Sequence, residues 1–494
     1  MRSALDGRAS FRSLPGSCRA LAAIAVLGAS CAGAQSIDAF NPLPNVPPTT
    51  LAVQANGKIV LAGSFLDVGV NPRERIARLN SDGSLDASFQ DPEVDGEIKT
   101  VAVQADGKIV IGGNFDALGT TARHYLARLN ADGSIDTTFA DPGLNDTVWA
   151  IAVQAADGRI LVAGDFTLAT TSVSRRGAAR FNVNGTLDTS FADPQFDPTL
   201  GFSPVRCIAL QADGHVLVGG AFTHVGTTSQ FYFARFSSSG VFDPTFPVGN
   251  EPQVAAIAVA PDGSIFVDDP GTGEIRKYSA TGVVDASYTP AVTDGEINSM
   301  FLQPNGKIVI GGTFDQVGVD AHHALARLNA NGSLDTTFAD LNFSFDAGNP
   351  DGFIYGIAAQ TDGGIIAIGN FTLANSQARQ YVARVATGDA VVSTFTGQAS
   401  GSNTIVTWTR SGDGPELAQP PTLLHSTDGV IFSAMGAMTR IASGWQETVA
   451  YSFNGAPFYL QATGFTSAGA GNGSPGLVDS PVYSNDRIFA NGFE

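Results

Sequence analysis

Cysteine is nearly absent from this chain. Of three in 494 residues, Cys18 and Cys31 lie close to the N-terminus, so only Cys207 remains beyond that segment. No internal disulfide can then form, and stability must come from burial. Cys207 opens an apolar strand and is expected to pack as a small buried hydrophobe. Charge is also scarce. Asp, Glu, Lys and Arg make up 15 %, while glycine reaches 57, a balance that suits short strands and tight turns better than long solvated helices. Positive charge is the scarcer sign, 27 Lys and Arg against 46 Asp and Glu, for a net charge of −19. That argues against nucleic acid and anionic membrane surfaces as partners, and leaves cations, glycans and proteins. Past the N-terminal segment no stretch reaches the ~18 apolar residues of a membrane helix. The six histidines (124, 215, 224, 322, 323 and 425) fall in no HExxH or Cys/His zinc spacing, and no Gly-x-Ser-x-Gly elbow occurs. No catalytic residues can therefore be assigned.

What the chain has is repetition. An apolar tetrad, Gln, an Asp/Asn-Gly turn, an apolar run ending in Gly-x-Phe, then Ala-Arg-Leu-Asn and Leu-Asp-x-x-Phe recur with starts at Leu51, Val101, Ile151, Ile208, Ile257, Met300 and Ile357. A chain of this length is too long for one ordinary core unless it grows by repeating a unit. In the clearest copy, Val101–Gln104 reads as a strand and Asp106-Gly107 as a two-residue hairpin turn. Lys108–Phe115 is a strand covered on both faces. A variable loop leads to Tyr125–Asn130, and Asp132-Gly133 turns the chain into a fourth strand, Ile135–Phe139. Such a sheet is too small to bury both faces alone. Radial stacking solves this, which predicts an all-β fold with a seven-bladed β-propeller, six or eight blades being the alternatives; units of this length are long for a linear solenoid. Ser36-Ile-Asp-Ala-Phe40 matches Ser84–Phe89 less one residue, so an N-terminal strand is expected to complete the last unit, for which Val391–Phe395 is a second candidate.

Arg78/Asp86, Arg128/Asp136, Arg180/Asp188, Arg235/Asp243 and Arg327/Asp335 flank the second turn. With Gly in the left-handed region of a three-residue loop, each pair lies directly across the hairpin. Because it recurs unit after unit, the expected role is one structural ion pair per blade. The Gly-x-Phe positions (Gly113/Phe115, Gly164/Phe166, Gly220/Phe222, Gly312/Phe314, Gly369/Phe371) lack the helix and Lys of a phosphate loop and belong to the core. The unit at Ile257 departs from the pattern, with Phe266-Val-Asp-Asp-Pro270 and Lys277 in place of Arg. Acidic residues gather between units: Asp91, Glu93, Asp95, Glu97; Asp141, Asp146; Asp193, Asp197; Asp294, Glu296; Asp340, Asp346, Asp351. Converging on one face they would form an acidic axial mouth. Asp95, Glu97, Asp146, Asp294 and Glu296 are then the candidate metal residues, for Ca²⁺ if for any ion, although no loop has EF-hand spacing.

The consensus Ile-Ala-Val-Gln-x-Asp-Gly-Lys-Ile … Gly-Gly-x-Phe … Ala-Arg-Leu-Asn-x-Asp-Gly-Ser-Leu-Asp-x-x-Phe, over about residues 36 to 395, resembles the delta-60 repeat family, tandem β-propeller repeats of bacterial, mostly exported proteins. Its strand and turn order is similar to that of NHL propellers. The resemblance implies fold and export, and supplies no catalytic residues.

The expected domains are a signal peptide over 1–34, the propeller over 35–395, a linker over 396–403, a small β-sandwich-like domain over 404–484 and a terminal motif over 485–494. Arg2, Arg8, Arg12 and Arg19 before Leu21–Leu27, with Ala32-Gly-Ala34 as cleavage site, carry the leader assignment. Asp486–Glu494 resembles a short ending of exported Gram-negative proteins, a sorting address or a final strand. Trp408 and Trp445 are expected in the core of the second domain rather than as a sugar platform. The expected function is an exported, monomeric, non-enzymatic scaffold binding a protein or glycan, without cofactor. The alternatives are a Ca²⁺-assisted propeller hydrolase or lyase, and a carbohydrate-binding protein.

Overall fold

The computed structural model describes residues 35–169, 174–196, 205–247, 253–346, 352–387, 392–400, 403–441, 444–449, 458–466 and 477–484. The leader, the terminal motif, Asp197 and Asp351 lie outside them. All regular structure among the described residues is β-strand.

Each repeat forms an antiparallel sheet with its strands side by side in chain order. They are sheet I (Pro48–Val53, Ile59–Gly63, Ile76–Leu79), sheet II (Glu97–Val103, Ile109–Asn114, Leu126–Leu129) and sheet III (Val148–Val153, Ile160–Ala169, Ser174–Phe181). Then come sheet IV (Val205–Leu210, Val216–Gly220, Phe233–Phe236), sheet V (Ile257–Val259, Ile265–Asp269, Glu274–Tyr278) and sheet VI (Ile297–Leu302, Ile308–Gly312, Leu325–Leu328). Sheet VII (Phe353–Ala359, Ile365–Asn370, Val382–Ala386) gains a fourth strand from Ser36–Ile37, which pairs Ser36 with Ala386 and Ile37 with Val385.

The expected fourth strand of the other units is reduced to one bridging residue, for example Ile135 opposite Leu129. The cause is local. Asp136 Oδ1 accepts the N–H of Thr138 at 3.0 Å and its hydroxyl at 2.6 Å, and the Asp136 carbonyl accepts Phe139 N–H at 3.2 Å. This side-chain turn bends the chain away from the sheet. In sheet II both hairpin turns are three-residue loops, so the first differs from the two-residue expectation. Gln104 N–H donates to Lys108 O at 2.8 Å, and Gly107 takes φ 82°, a backbone that glycine alone adopts without penalty. The variable loop contains a miniature hairpin, Ala117–Leu118 on Thr121–Ala122 in sheet II.

Apolar clusters sit between sheets. One joins Ala52, Val60 and Ile76 of sheet I to Val101, Ile109 and Ile111 of sheet II, with Phe115 inside it. Equivalent clusters join II to III, III to IV, IV to V, V to VI and VI to VII. A further cluster joins Leu51 and Val53 of sheet I to Ile366 and Ile368 of sheet VII. The glycine pair makes this spacing possible. A Cβ on Gly112 would lie 2.5 Å from Val148 Cγ1 of the next sheet, and one on Gly113 would lie 2.1 Å from Glu97 O.

The C-terminal region contains two sheets. Val392–Ser400, Asn403–Ser411, Gly444–Val449 and Thr439–Ile441 form one. Thr422–Ser426, Ser433–Ala437, Tyr459–Phe465, Leu477–Asp479 and Tyr483–Ser484 form the other. They share one core, with Phe395, Trp408 and Trp445 inside it; Trp408 and Trp445 are paired across neighbouring strands. The linker expected over 396–403 is not a linker. Residues 396–400 continue a strand paired with Asn403–Ser411, and Val392–Phe395 belongs to that strand rather than to the last repeat. A Gly/Ser-rich composition there marks a hairpin end, not a free tether.

Candidate functional site

The repeated polar residues are consumed by the scaffold. Arg128 Nε lies 2.7 Å from Asp136 Oδ2, with both side chains nearly buried, and Arg128 Nη1 donates to Val183 O of the next unit at 2.5 Å. Arg78–Asp86, Arg180–Asp188 and Arg327–Asp335 make the same contact at 2.7 Å, and Arg235 Nε lies 3.0 Å from Asp243 Oδ2. Each Arg also lies over the Phe closing its own unit, Arg128 at 4.8 Å from the Phe139 ring centre. Sequence reasoning missed two further partners. The consensus Lys joins the pair, Lys108 Nζ lying 2.8 Å from Asp136 Oδ2. In sheet VII Arg384 pairs with Asp38 from the opposite end of the chain, a link the matching Ser36–Phe40 segment could have revealed. Burial alone would raise the Asp136 carboxyl, but hydrogen bonds from Lys108, Thr138 and Arg128 outweigh it and hold the group well below the usual range; Asp86 and Asp335 behave alike.

One inner-strand position escapes this use. The first strand of six sheets carries a bulge, and the residues skipped by the pairing are Thr49, Lys99, Trp149, Arg206, Asn298 and Tyr355. A bulge re-aims its side chain out of the ladder. These residues are partly or fully exposed, whereas both neighbours of each are buried. Their chemistry differs from copy to copy at one backbone position. They also touch: Lys99 Nζ lies 5.0 Å and Arg206 Cζ 5.4 Å from the Trp149 ring centre. Thr49 Oγ1 donates to Ile98 O at 2.8 Å, and Asn298 Nδ2 to Ile354 O at 2.9 Å. Lys99 is held by Glu97 at 2.6 Å, and Trp149 Nε1 donates to Asp165 Oδ2 at 2.8 Å. Burial, then the nearby Asp146 charge, pushes the Asp165 carboxyl up, against the Trp149 hydrogen bond and Arg206. The result is a preorganised patch across sheets II, III and IV in which Lys99 and Arg206 flank the Trp149 ring, with Glu97 and Asp165 beside them.

A family model described as "Domain of unknown function (DUF5122) beta-propeller" matches residues 54–89, 104–139, 155–191, 211–246 and 303–338. These segments are delta-60-type repeats of that family. Outside these segments, sheet V carries Asp268-Asp269 in place of Gly-Gly, and sheet VII takes its last segment from residues near the N-terminus. No curated protein matches the chain. Among solved structures, virginiamycin B lyase from Staphylococcus aureus is 10 % identical, covering 71 % of this chain and 99 % of that one at a TM-score of 0.41. YCF48 from Cyanidioschyzon merolae is 11 % identical, covering 72 % and 98 % at a TM-score of 0.43.

The DUF5122 repeats put most of the acidic connections to structural use. Asp95 Oδ1 accepts the N–H groups of Asp116 at 2.9 Å and Ala117 at 3.1 Å, and Asp294 Oδ1 accepts those of Asp315 and Gln316 at 2.9 Å. In sheet I the neutral Asn45 does the same for Leu66 and Asp67, so the task requires an oxygen and not a charge. Asp91, Asp141, Asp193 and Asp340 each accept the N–H two residues on. Asp146 Oδ1 accepts Thr147 N–H at 2.7 Å, and Glu296 meets Thr313 through its backbone. Asp95, Glu97, Asp146, Asp294 and Glu296 are not brought together: among the described residues no group of three or more His, Cys, Asp or Glu is placed to hold a metal ion.

Sheet V is the exception noted in the sequence. Asp268 stands where sheet II has Gly112, and its Oδ1 accepts the N–H of Ala255 at 2.9 Å and Ala256 at 2.7 Å. This replaces the first ladder bonds, so the inner strand starts only at Ile257. Asp268 Oδ2 is buried with no hydrogen-bond partner, and burial pushes the carboxyl up to about 8. Cys207 is also buried, its Sγ 3.7 Å from Val254 O.

Proposed function

We propose that the chain is an exported, non-enzymatic binding protein built on a closed seven-bladed propeller with a β-sandwich attached, and that its ligand is read at the bulge positions. The support for ring closure is the pairing of Ser36–Ile37 with the last repeat together with the apolar cluster between sheets I and VII. The support for binding is one observation: six equivalent inner-strand positions are partly or fully exposed and carry different side chains, while the repeated residues around them are engaged in packing and ion pairs. Loop-rich sites held by a rigid scaffold are where proteins place recognition. The Lys99–Trp149–Arg206 patch favours an anionic protein segment or acidic glycan, and no cofactor is part of this reading. An array of acidic glycans and acidic peptides, probed with the full chain and with Lys99→Ala/Arg206→Ala, tests it. Binding that disappears in a variant of unchanged thermal stability is the expected result; binding equal in both would contradict the site. Export is tested separately, by locating the full chain and a chain lacking residues 2–34 in a bacterial host. Both remaining in the cytosol would count against it.

A further inference from the structure

Sheet V departs from the other units at two positions that act together. Every other unit follows its inner strand with Gln and carries Arg on its third strand; sheet V has Ala260 and Lys277 there. In sheets II, III and VII the two side chains touch, Gln Oε1 accepting Arg Nη1 at 3.4, 3.4 and 3.1 Å. The guanidinium also reaches a carbonyl in the second turn of the next unit, Ser238 O at 2.6 Å from Arg180 and Ala280 O at 2.7 Å from Arg235. Lys277 keeps only the ion pair of its own hairpin, Nζ lying 3.0 Å from Asp285 Oδ2. The volume of the Gln amide and the guanidinium fork is not made up. A cavity of about 230 Å³ is bordered by Ala260, Lys277 and, from the next unit, Ala330, the counterpart of Ala280. Loss of side-chain volume leaves such a void where the surroundings cannot collapse onto it. Here the C-terminal region is fixed beside it, Glu416 N–H donating to Leu302 O at 2.8 Å and Asp413 taking Arg327 Nη1 at 3.0 Å.

The spare hydrogen-bonding capacity of this cavity is cationic. Arg440 of the C-terminal region borders it and makes no hydrogen bond among the described residues. The carboxylate beside it, Glu416, is 3.8 Å away, and its guanidinium lies 5.1 Å from the Trp445 ring centre. Lys277 spends one of its ammonium donors on Asp285 and keeps the others. The acids of the lining are engaged. Glu416 Oε1 accepts Leu417 N–H at 2.8 Å, and Asp262 Oδ1, on an exposed turn, accepts Ser264 N–H at 2.9 Å. Phe266 and Pro304 supply flat apolar walls. Two cations beside apolar walls suit a carboxylate on an apolar body, because charge-assisted hydrogen bonds are the strong ones. The volume is below the roughly 300–1,000 Å³ of drug-sized sites, which restricts the body to a compact one.

We propose that the cavity made by these two departures binds a small aromatic carboxylate, its charged group between Lys277 and Arg440 and its ring against Phe266 and Pro304. The site lies at the other end of the inner strands from the bulge positions, so it stands or falls apart from them. Isothermal titration of the full chain with benzoate, benzamide and benzylamine tests it. Benzamide keeps the ring and loses the charge, and benzylamine reverses the charge. Heat with benzoate and none with the other two is expected. Arg440→Ala, at a partly exposed side chain, should weaken benzoate about tenfold or more. Ala260→Gln restores the residue of the other units and fills the cavity, so it should abolish the heat without lowering the melting temperature. No heat with benzoate, equal heat with benzamide or benzylamine, or benzoate affinity unchanged in Arg440→Ala or in folded Ala260→Gln would overturn the proposal.

Discussion

At the residue scale, the repeated Arg and Asp are held in geometry that tolerates no partner loss. Removing Arg128 leaves Asp136 nearly buried with only Lys108 to balance it. Arg128→Ala is expected to cost about 3 kcal/mol in denaturant unfolding, since breaking a buried pair is far costlier than losing an exposed one. Acid should act on the same groups. The carboxyls of Asp86, Asp136 and Asp335 are depressed in the folded chain, so their contribution is complete above the ordinary carboxylate value of about 4 and is lost as pH falls below it. A melting temperature that drops steeply below that point checks this. Asp268 has the opposite sign. Its folded value near 8 means that stability is full below about pH 4 and declines as pH rises through 8. Asp268→Asn keeps the oxygen that accepts from Ala255 and Ala256 and has no proton to lose, so this decline should flatten in a pH series of thermal melts.

At the element scale, the sheets were largely legible in the sequence. The Asp-Gly turns, the double-faced apolar strands and the Arg–Asp register all follow from spacing, because a hairpin with Gly in the left-handed region fixes which residues face each other. The fourth strand was misread because Leu-Asp-x-x-Phe has strand composition, while the Asp side chain turns the backbone after one residue. The candidate site was not legible. A bulge is set by backbone register, and Lys99, Trp149 and Arg206 share no residue type that would announce a common position. The left-handed residue after each miniature hairpin was hidden for the same reason. Arg75, Tyr125, Tyr232, Ala324 and Tyr381 have φ between 61° and 68°, and Gly177 fills that place in sheet III. In sheet II, Tyr125 N–H donates to Phe115 O at 2.9 Å and Tyr125 O accepts Gly113 N–H at 3.1 Å, which holds a conformation costing roughly 1–2 kcal/mol for a non-glycine residue. The acidic loops misled in the other direction. Their charge suggested cation binding, but Asn45 shows that the oxygen suffices. Asp95→Asn should therefore unfold like the natural chain, whereas Asp95→Ala should cost about 1 kcal/mol, and the difference between two denaturation curves decides it.

At the scale of the whole molecule, the two ends of the chain complete what the repeats leave unfinished. Ser36–Ile37 and Asp38 supply an outer strand and an acid to sheet VII. The place filled for Arg128 by Val183 O is filled for Arg327 by the carboxylate of the C-terminal Asp413. Asp413→Ala should thus destabilise the repeats themselves, by about 3 kcal/mol, although the residue lies far from them in sequence. The central claim is that fixed residues of the repeat build the scaffold while the varied bulge residues form the surface that recognises a ligand. Thermal unfolding of Arg128→Ala beside Arg206→Ala tests it most directly, with the same residue type removed from sheets II and IV. The account predicts a melting temperature lowered by several degrees for Arg128→Ala and within about one degree of the natural chain for Arg206→Ala. Equal losses in the two variants, or a larger loss for Arg206→Ala, would contradict it.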